Sequence, residues 1–313
     1  FNQSQREAAL LLAAKLSYEL GYNDEALTRV NDLLSSFPES VHKDEAKTLL
    51  SDLLIKTNRY QEAYNIMQEV TNRDEVFRRV YQKVTYGYAM QQLQSGNMQM
   101  ADGLLDESLQ NSVDDSYAAV ANFWKGEIAY RMLRFADATS YTERFVAMAG
   151  RSNKVEALST TATLQNAYVN LGYAAMEQRN FAAAQTYFSK AQGQVADPAM
   201  ALNAVIREAD AVFMQKNYSK AIALYDKVIS ANSADADYAR YQKAIVLGVT
   251  GKRAEKITLL QGLINKTPAS TYAYDARYEQ ALAYIEEDKY QQAITVLQPL
   301  TTAQEKRNLA PKA

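Results

Sequence analysis

The stretch YVNLGYAAMEQRNFAAAQTYF, residues 168–188, decides the fold. Gly172 and Ala184 are small residues twelve positions apart, and Phe181 stands three positions before the second of them. Tyr168, Leu171 and Gly172 recur at helical spacing, and so do Phe181, Ala184 and Phe188. Arg179-Asn180 interrupts the two runs as a turn. The stretch reads as two short helices that cross closely where the small residues meet.

The same arrangement occurs eight times. The first small positions are Ala14, Ser51, Ala89, Gly126, Gly172, Ala209, Ala244 and Ala281. Their partners are Ala26, Ala63, Ala101, Ala138, Ala184, Ala221, Lys256 and Ala293. Three residues before each partner stand Asn23, Tyr60, Met98, Phe135, Phe181, Tyr218, Arg253 and Tyr290. Successive partners are separated by 37, 38, 37, 46, 37, 35 and 37 residues. Self-similarity at such a period marks a stack of supersecondary units rather than independent domains.

The punctuation between helices agrees with that reading. Gly21 ends the first helix, Asn23 is placed to cap the second, and Phe37-Pro38 closes the unit. Asp197-Pro198 and Thr267-Pro268 read as helix starts, since proline is tolerated in a first turn. No segment alternates with period two, so no strand is expected. The 46-residue spacing implies an extra turn or two of helix near 150–156, with a loop at Gly150-Arg151-Ser152-Asn153. That gap suggests a division of the single solenoid 1–313 into 1–149 and 150–313.

The units resemble tetratricopeptide repeats, whose pattern runs from a large residue through Leu-Gly to an Ala and an aromatic in the second helix, and then to Pro. Residues 168–188 carry the pattern best, and the resemblance extends over about residues 4–302. It implies an all-α, right-handed superhelical solenoid of about sixteen antiparallel helices. Two departures stand out. Lys256 replaces a small residue and Thr142 takes a usual large apolar position. Looser packing is expected at both.

Composition narrows the function. The chain has 313 residues with a net charge of −2, from 34 basic and 36 acidic groups, so no global field recruits nucleic acid or an acidic membrane. It has no cysteine, which excludes disulfides and thiol chemistry and suits an oxidising bacterial periplasm as well as the cytoplasm. Its longest apolar run, Leu10–Ala14, is cut by Lys15, so membrane insertion is not expected. The first residue is Phe1, and the last helix leaves Ala293, Leu297 and Leu300 needing cover, so the array is expected to continue in a longer bacterial protein.

No catalytic or metal constellation can be assembled. The single histidine, His42, follows Pro38-Glu39-Ser40 in a turn between units. Asp235-Ala236-Asp237 lacks the central glycine of a calcium loop and has Val246 where the closing Glu belongs, so it reads as an acidic helix start. Glu286-Glu287-Asp288 reads as a solvated helix end, and Arg78-Arg79 and Lys306-Arg307 are too short for a nucleic-acid patch. Neither cofactor nor metal is expected, and Trp124 is assigned to packing.

In the family that the units resemble, first helices line the partner-binding face. Projecting the register places Tyr18, Tyr86, Phe123, Tyr130, Tyr173, Phe213, Tyr238, Tyr241 and Tyr278 there. Lys15, Glu45, Asp52, Lys83, Glu127, Asn166, Asn203, Asp210 and Asp275 fall between them. Tyrosine suits a contact surface, having a large apolar body, few rotors and a polar tip. The same rings could instead pack against neighbouring helices. A clamp for a C-terminal carboxylate does not fit, because Leu11, Lys15, Thr48 and Asp52 occupy its positions. The expectation is a non-enzymatic scaffold that binds a protein or peptide, in a bacterial envelope assembly or secretion process. An adaptor or sensor for a further domain is the alternative, and glycan binding in the groove a lesser one.

Overall fold

In the computed structural model, residues 2–150, 154–194 and 197–301 are described. Residues 151–153 of the expected loop, and the tail containing Lys306-Arg307 and Leu309, lie outside them. The described residues form seventeen α-helices and no strand. The chain divides into two compact bodies, Phe1–Thr163 and Leu164–Ala313.

The first body holds α1 (Gln3–Glu19), α2 (Asn23–Ser36), α3 (Lys43–Ile55), α4 (Tyr60–Gln68), α5 (Glu75–Gln94), α6 (Met98–Gln110), α7 (Asp115–Arg131), α8 (Phe135–Ala149) and α9 (Val155–Leu158). The second holds α10 (Leu164–Glu177), α11 (Phe181–Gln192), α12 (Pro198–Met214), α13 (Tyr218–Ser230), α14 (Ala236–Val249), α15 (Arg253–Lys266), α16 (Ala273–Ile285) and α17 (Tyr290–Thr301). Each body therefore stacks four helical hairpins. The odd element is α9, a single turn in the 46-residue gap.

The residue three before each partner proves to be the first residue of every second helix, from Asn23 to Tyr290. The turn before it is the same in all eight repeats. One residue adopts positive φ: Gly21, Asn58, Gly96, Leu133, Arg179, Lys216, Gly251 and Asp288. The N–H that follows bonds back five residues, as in Tyr22 to Ser17, Arg134 to Ala129 and Lys289 to Tyr284. This is a Schellman ending, in which a left-handed residue lets the last free carbonyls of the helix be satisfied. Only three of the eight are glycine, so the turn is not visible as a glycine pattern.

Two helix-start expectations are corrected. Asn23 is not the cap of α2; that position belongs to Tyr22, without a side-chain bond. Asn23 instead accepts from Lys56 Nζ at 2.8 Å, joining two repeats. Pro268 does not open α16, which begins at Ala273. Thr267 caps the C-terminus of α15, and Pro268 sits in the turn between. Asp197-Pro198 behaves as expected, with the Asp197 carboxylate accepting from Ala199 and Met200 N–H.

The paired small residues are the floor of each hairpin. Ala14, Ala26, Ser51, Ala63, Ala89, Ala101, Ala209 and Ala221 have no exposed surface. A β-carbon on Gly172 would lie 2.5–2.7 Å from the Phe188 ring, and one on Gly126 would collide with the Thr142 hydroxyl. Thr142 is therefore buried against a glycine rather than left in a loose gap. At Lys256 the stem lies over Gly248, where a β-carbon would stand 3.1 Å from Cδ. Its ammonium reaches Glu279 Oε2 on α16 at 2.7 Å. Glycine one turn beyond Ala244 thus makes room for a lysine in a slot meant for alanine.

Candidate functional site: the first-helix faces

In the first body, neighbouring first helices are tied by polar rungs. Tyr18 on α1 donates to Asp52 on α3, and Lys15 pairs with Glu45. Lys83 on α5 stands 3.5 Å from the other oxygen of Asp52, and Lys56 lies 4.0 Å above the Tyr18 ring. A second cluster joins α4, α5 and α6. There Tyr64 and Tyr81 both donate to Glu107, and Gln68 donates to the Tyr81 hydroxyl at 2.7 Å. These phenols are committed to holding repeats together.

A cavity of about 530 Å³ opens beside them. Its walls are Tyr60 at the start of α4, Lys83, Tyr86 and Met90 on α5, Tyr117 on α7, and Ala157 and Leu158 on α9. Gly87 lets the Tyr60 ring pack against α5, because a β-carbon there would fall among the ring atoms. Tyr86 and Tyr117 meet edge to face at 5.4 Å. Burial pushes the Tyr117 phenol up to about 12 and the Tyr86 phenol further, so both are neutral at physiological pH.

In the second body, one network spans α10, α12, α13 and α14. Arg207 Nε donates to the Tyr173 hydroxyl at 3.1 Å, and its Nη1 pairs with Asp210 at 3.0 Å. Asp210 also accepts from Tyr225 at 2.6 Å and from Tyr238 at 3.0 Å. Burial pushes the Asp210 carboxyl up, against the bonds from Tyr225 and Arg207 that favour its charge. Farther along, Tyr272 stacks on Tyr241 at 5.8 Å and tilts against Tyr238 at 5.5 Å.

Residues 169–237 and 275–300 match family models of the tetratricopeptide repeat. The chain is a tetratricopeptide repeat protein. Solved structures share the fold at low identity. The C-terminal part of a TPR repeat-containing protein from Cytophaga hutchinsonii is 16% identical, with a TM-score of 0.55 over 83% of this chain and 98% of that one. The apo form of RapI is 10% identical, with a TM-score of 0.54 over 94% of this chain and 87% of that one. A signal-transduction ATPase with a tetratricopeptide repeat sensor from Pyrococcus horikoshii is 16% identical, with a TM-score of 0.52 over 90% of this chain. The chain spans 47% of that protein's length. No curated protein sequence matches it.

The fold of this tetratricopeptide repeat protein is that of a protein-interaction scaffold. The nine aromatics projected from its sequence occupy different settings. Phe123 and Tyr86 are 2% and 6% exposed. Phe123 packs on Phe145 at 5.2 Å and is part of the core. Tyr18, Tyr130, Tyr173, Phe213, Tyr238, Tyr241 and Tyr278 are half-buried. Of these, Tyr18, Tyr173 and Tyr238 have their hydroxyls in the polar rungs. Phe213 and Tyr130 contact the aromatic that opens the following helix, Tyr218 and Phe135.

Sequence reasoning missed Tyr60, Tyr117 and Arg207. Tyr117 stands nine residues before Gly126, outside the stretch that the projected register covers, because α7 begins as early as Asp115. The length of the apolar run in α7 is the signal that would have found it. Among the described residues, no three His, Cys, Asp or Glu side chains are grouped to hold a metal ion. No described helix is long and apolar enough to cross a membrane.

Proposed function

We propose that this protein is a non-enzymatic scaffold that takes an extended polypeptide across its first-helix faces. The observation that carries the reading is the repetition of half-buried aromatic rings at matching positions of successive first helices. Tyr241 on α14 and Tyr278 on α16 are both three residues before the small position, and Phe213 ends the same face of α12. The polar rungs hold the backbones that carry these rings, which lowers the ordering cost of binding. Rings of this kind, partly wet and rigidly mounted, are the usual anchors of an interface. The lack of cysteine supports a place in a bacterial envelope, with the periplasm as compartment.

The test is selection from a displayed random peptide library on the whole chain. Selected peptides are then rebound to a Phe213→Ala, Tyr241→Ala, Tyr278→Ala triple variant with its helicity checked. Tyr86 is left intact because its truncation would open the core. Loss of at least about tenfold in affinity is expected. Equal affinity for the triple variant, or a parent that selects nothing, defeats the reading.

A further inference from the structure

Five phenols of the first body fall into two groups. Tyr18, Tyr64 and Tyr81 donate to carboxylates. Tyr60 and Tyr117, which wall the α9 cavity, have no hydrogen-bond partner among the described residues, and neither do the side-chain amides of Asn58 and Gln94 at its rim. Unspent donors and acceptors that converge on one concavity with aromatic walls are the composition of a small-ligand site, and about 530 Å³ lies within the usual size of such sites, roughly 300–1,000 Å³. The irregular element of the fold completes it: α9 packs against α7, buries Val155, and turns Ala157 and Leu158 to the cavity.

The chemistry of the wall narrows the ligand. Among the described residues no carboxylate lines the cavity, and the one cation that does, Lys83, is shared with Asp52. A carboxylate or phosphate ligand only accepts hydrogen bonds and needs an uncommitted positive charge, which is lacking. Phenol hydroxyls and primary amides each donate and accept. They match a ligand that does both at several points around a compact ring with apolar faces. We propose that the α9-walled cavity binds a neutral saccharide of one or two rings, stacked on Tyr60 and Tyr117 and hydrogen-bonded by Tyr60, Tyr117, Asn58 and Gln94. This site is separate from the polypeptide reading and stands or falls without it.

The whole chain is titrated calorimetrically with glucose, galactose, N-acetylglucosamine, maltose and cellobiose up to roughly 50 mM, with acetate and triglycine in parallel. The emission of Trp124, the single tryptophan and a neighbour of Tyr86, is read in the same titrations. At least one sugar is expected to bind with a stoichiometry of one. Ala157→Trp, at an exposed position on the cavity wall, is expected to weaken it at least about tenfold with an unchanged melt. Tyr117→Phe, which removes only the hydroxyl, is expected to weaken it about three- to tenfold. Gln94→Leu, at an exposed rim position, provides a third variant should either of these melt early. The proposal is overturned if no sugar binds the parent, if acetate or triglycine binds more tightly than every sugar, or if the folded variants bind as the parent does.

Discussion

Gly172 on α10 lies directly against the ring of Phe188 on α11, so close that a β-carbon on the glycine would stand 2.5 Å from a ring carbon. Phe188 has no exposed surface and cannot swing into solvent. The aromatic and the glycine therefore define one another, and the helix pair closes only with both in place. Gly172→Ala is expected to cost about 1–3 kcal/mol by overpacking, and Gly172→Leu more than about 2 kcal/mol. Phe188→Leu in the Gly172→Ala background should return part of the loss. Urea melts of the four proteins check this. Equal midpoints for the parent and Gly172→Leu would mean that the helices cross elsewhere.

Leu133 holds φ near 59° in the turn between α7 and α8 and is 73% exposed. A branched side chain in the left-handed region costs about 1–2 kcal/mol, and glycine removes that strain at the expense of some chain entropy. Leu133→Gly should therefore stabilise the protein by about 0.5–1 kcal/mol. The same change at Leu104, inside α6 and buried, should destabilise it. Thermal melts of the two variants are expected to move in opposite directions.

Lys256 on α15 and Glu279 on α16 form the one ion pair that sits in a small-residue slot. Removing the acid leaves a mostly buried ammonium without its counter-charge, so Glu279→Gln is expected to cost about 2 kcal/mol. Lys256→Met keeps the stem over Gly248 and deletes the charge, and should fall within about 1 kcal/mol of the parent. Denaturant midpoints that rank the two variants the other way would contradict a packing role for the stem.

Burial raises the phenols of Tyr117 and Tyr241 from 10.0 to about 12. A group whose folded pKa lies above its unfolded value contributes stability that is fully present below the unfolded pKa and lost as pH rises through the folded one. Stability attributable to these tyrosines should therefore be flat up to pH 10 and decline between pH 10 and 12. Phenolate absorbance and thermal melts across that interval check the direction. Tyr117→Phe should flatten part of the decline.

The repeat and its register were legible in the order of residues because they depend on contacts inside one hairpin. Gly172 and Ala184 are twelve residues apart, and a helix–turn–helix brings them together whatever the rest of the chain does. Steric exclusion at that crossing leaves a mark, a small residue, at both ends. The second-helix starts were legible for the same reason. Lys256 looked like a flaw because its compensation, Gly248, lies one turn away from the compared position, and its partner, Glu279, lies in the next repeat.

What each tyrosine does was settled only by packing between repeats. Tyr18 and Tyr117 look alike in the sequence, yet one meets Asp52 on the next first helix and the other meets a cavity. Hydrogen-bond partners some 34 residues away, as in Tyr18 to Asp52 and Tyr173 to Arg207, are chosen by the angle and offset between stacked hairpins. The small-residue pattern holds whichever way those hairpins are offset. The cavity beside α5 likewise exists because α9 folds back on α7, a placement that four residues in an irregular gap do not encode locally. Short-range steric rules thus specified the repeat, and long-range burial and pairing decided which of its polar groups were tied between repeats and which line a cavity.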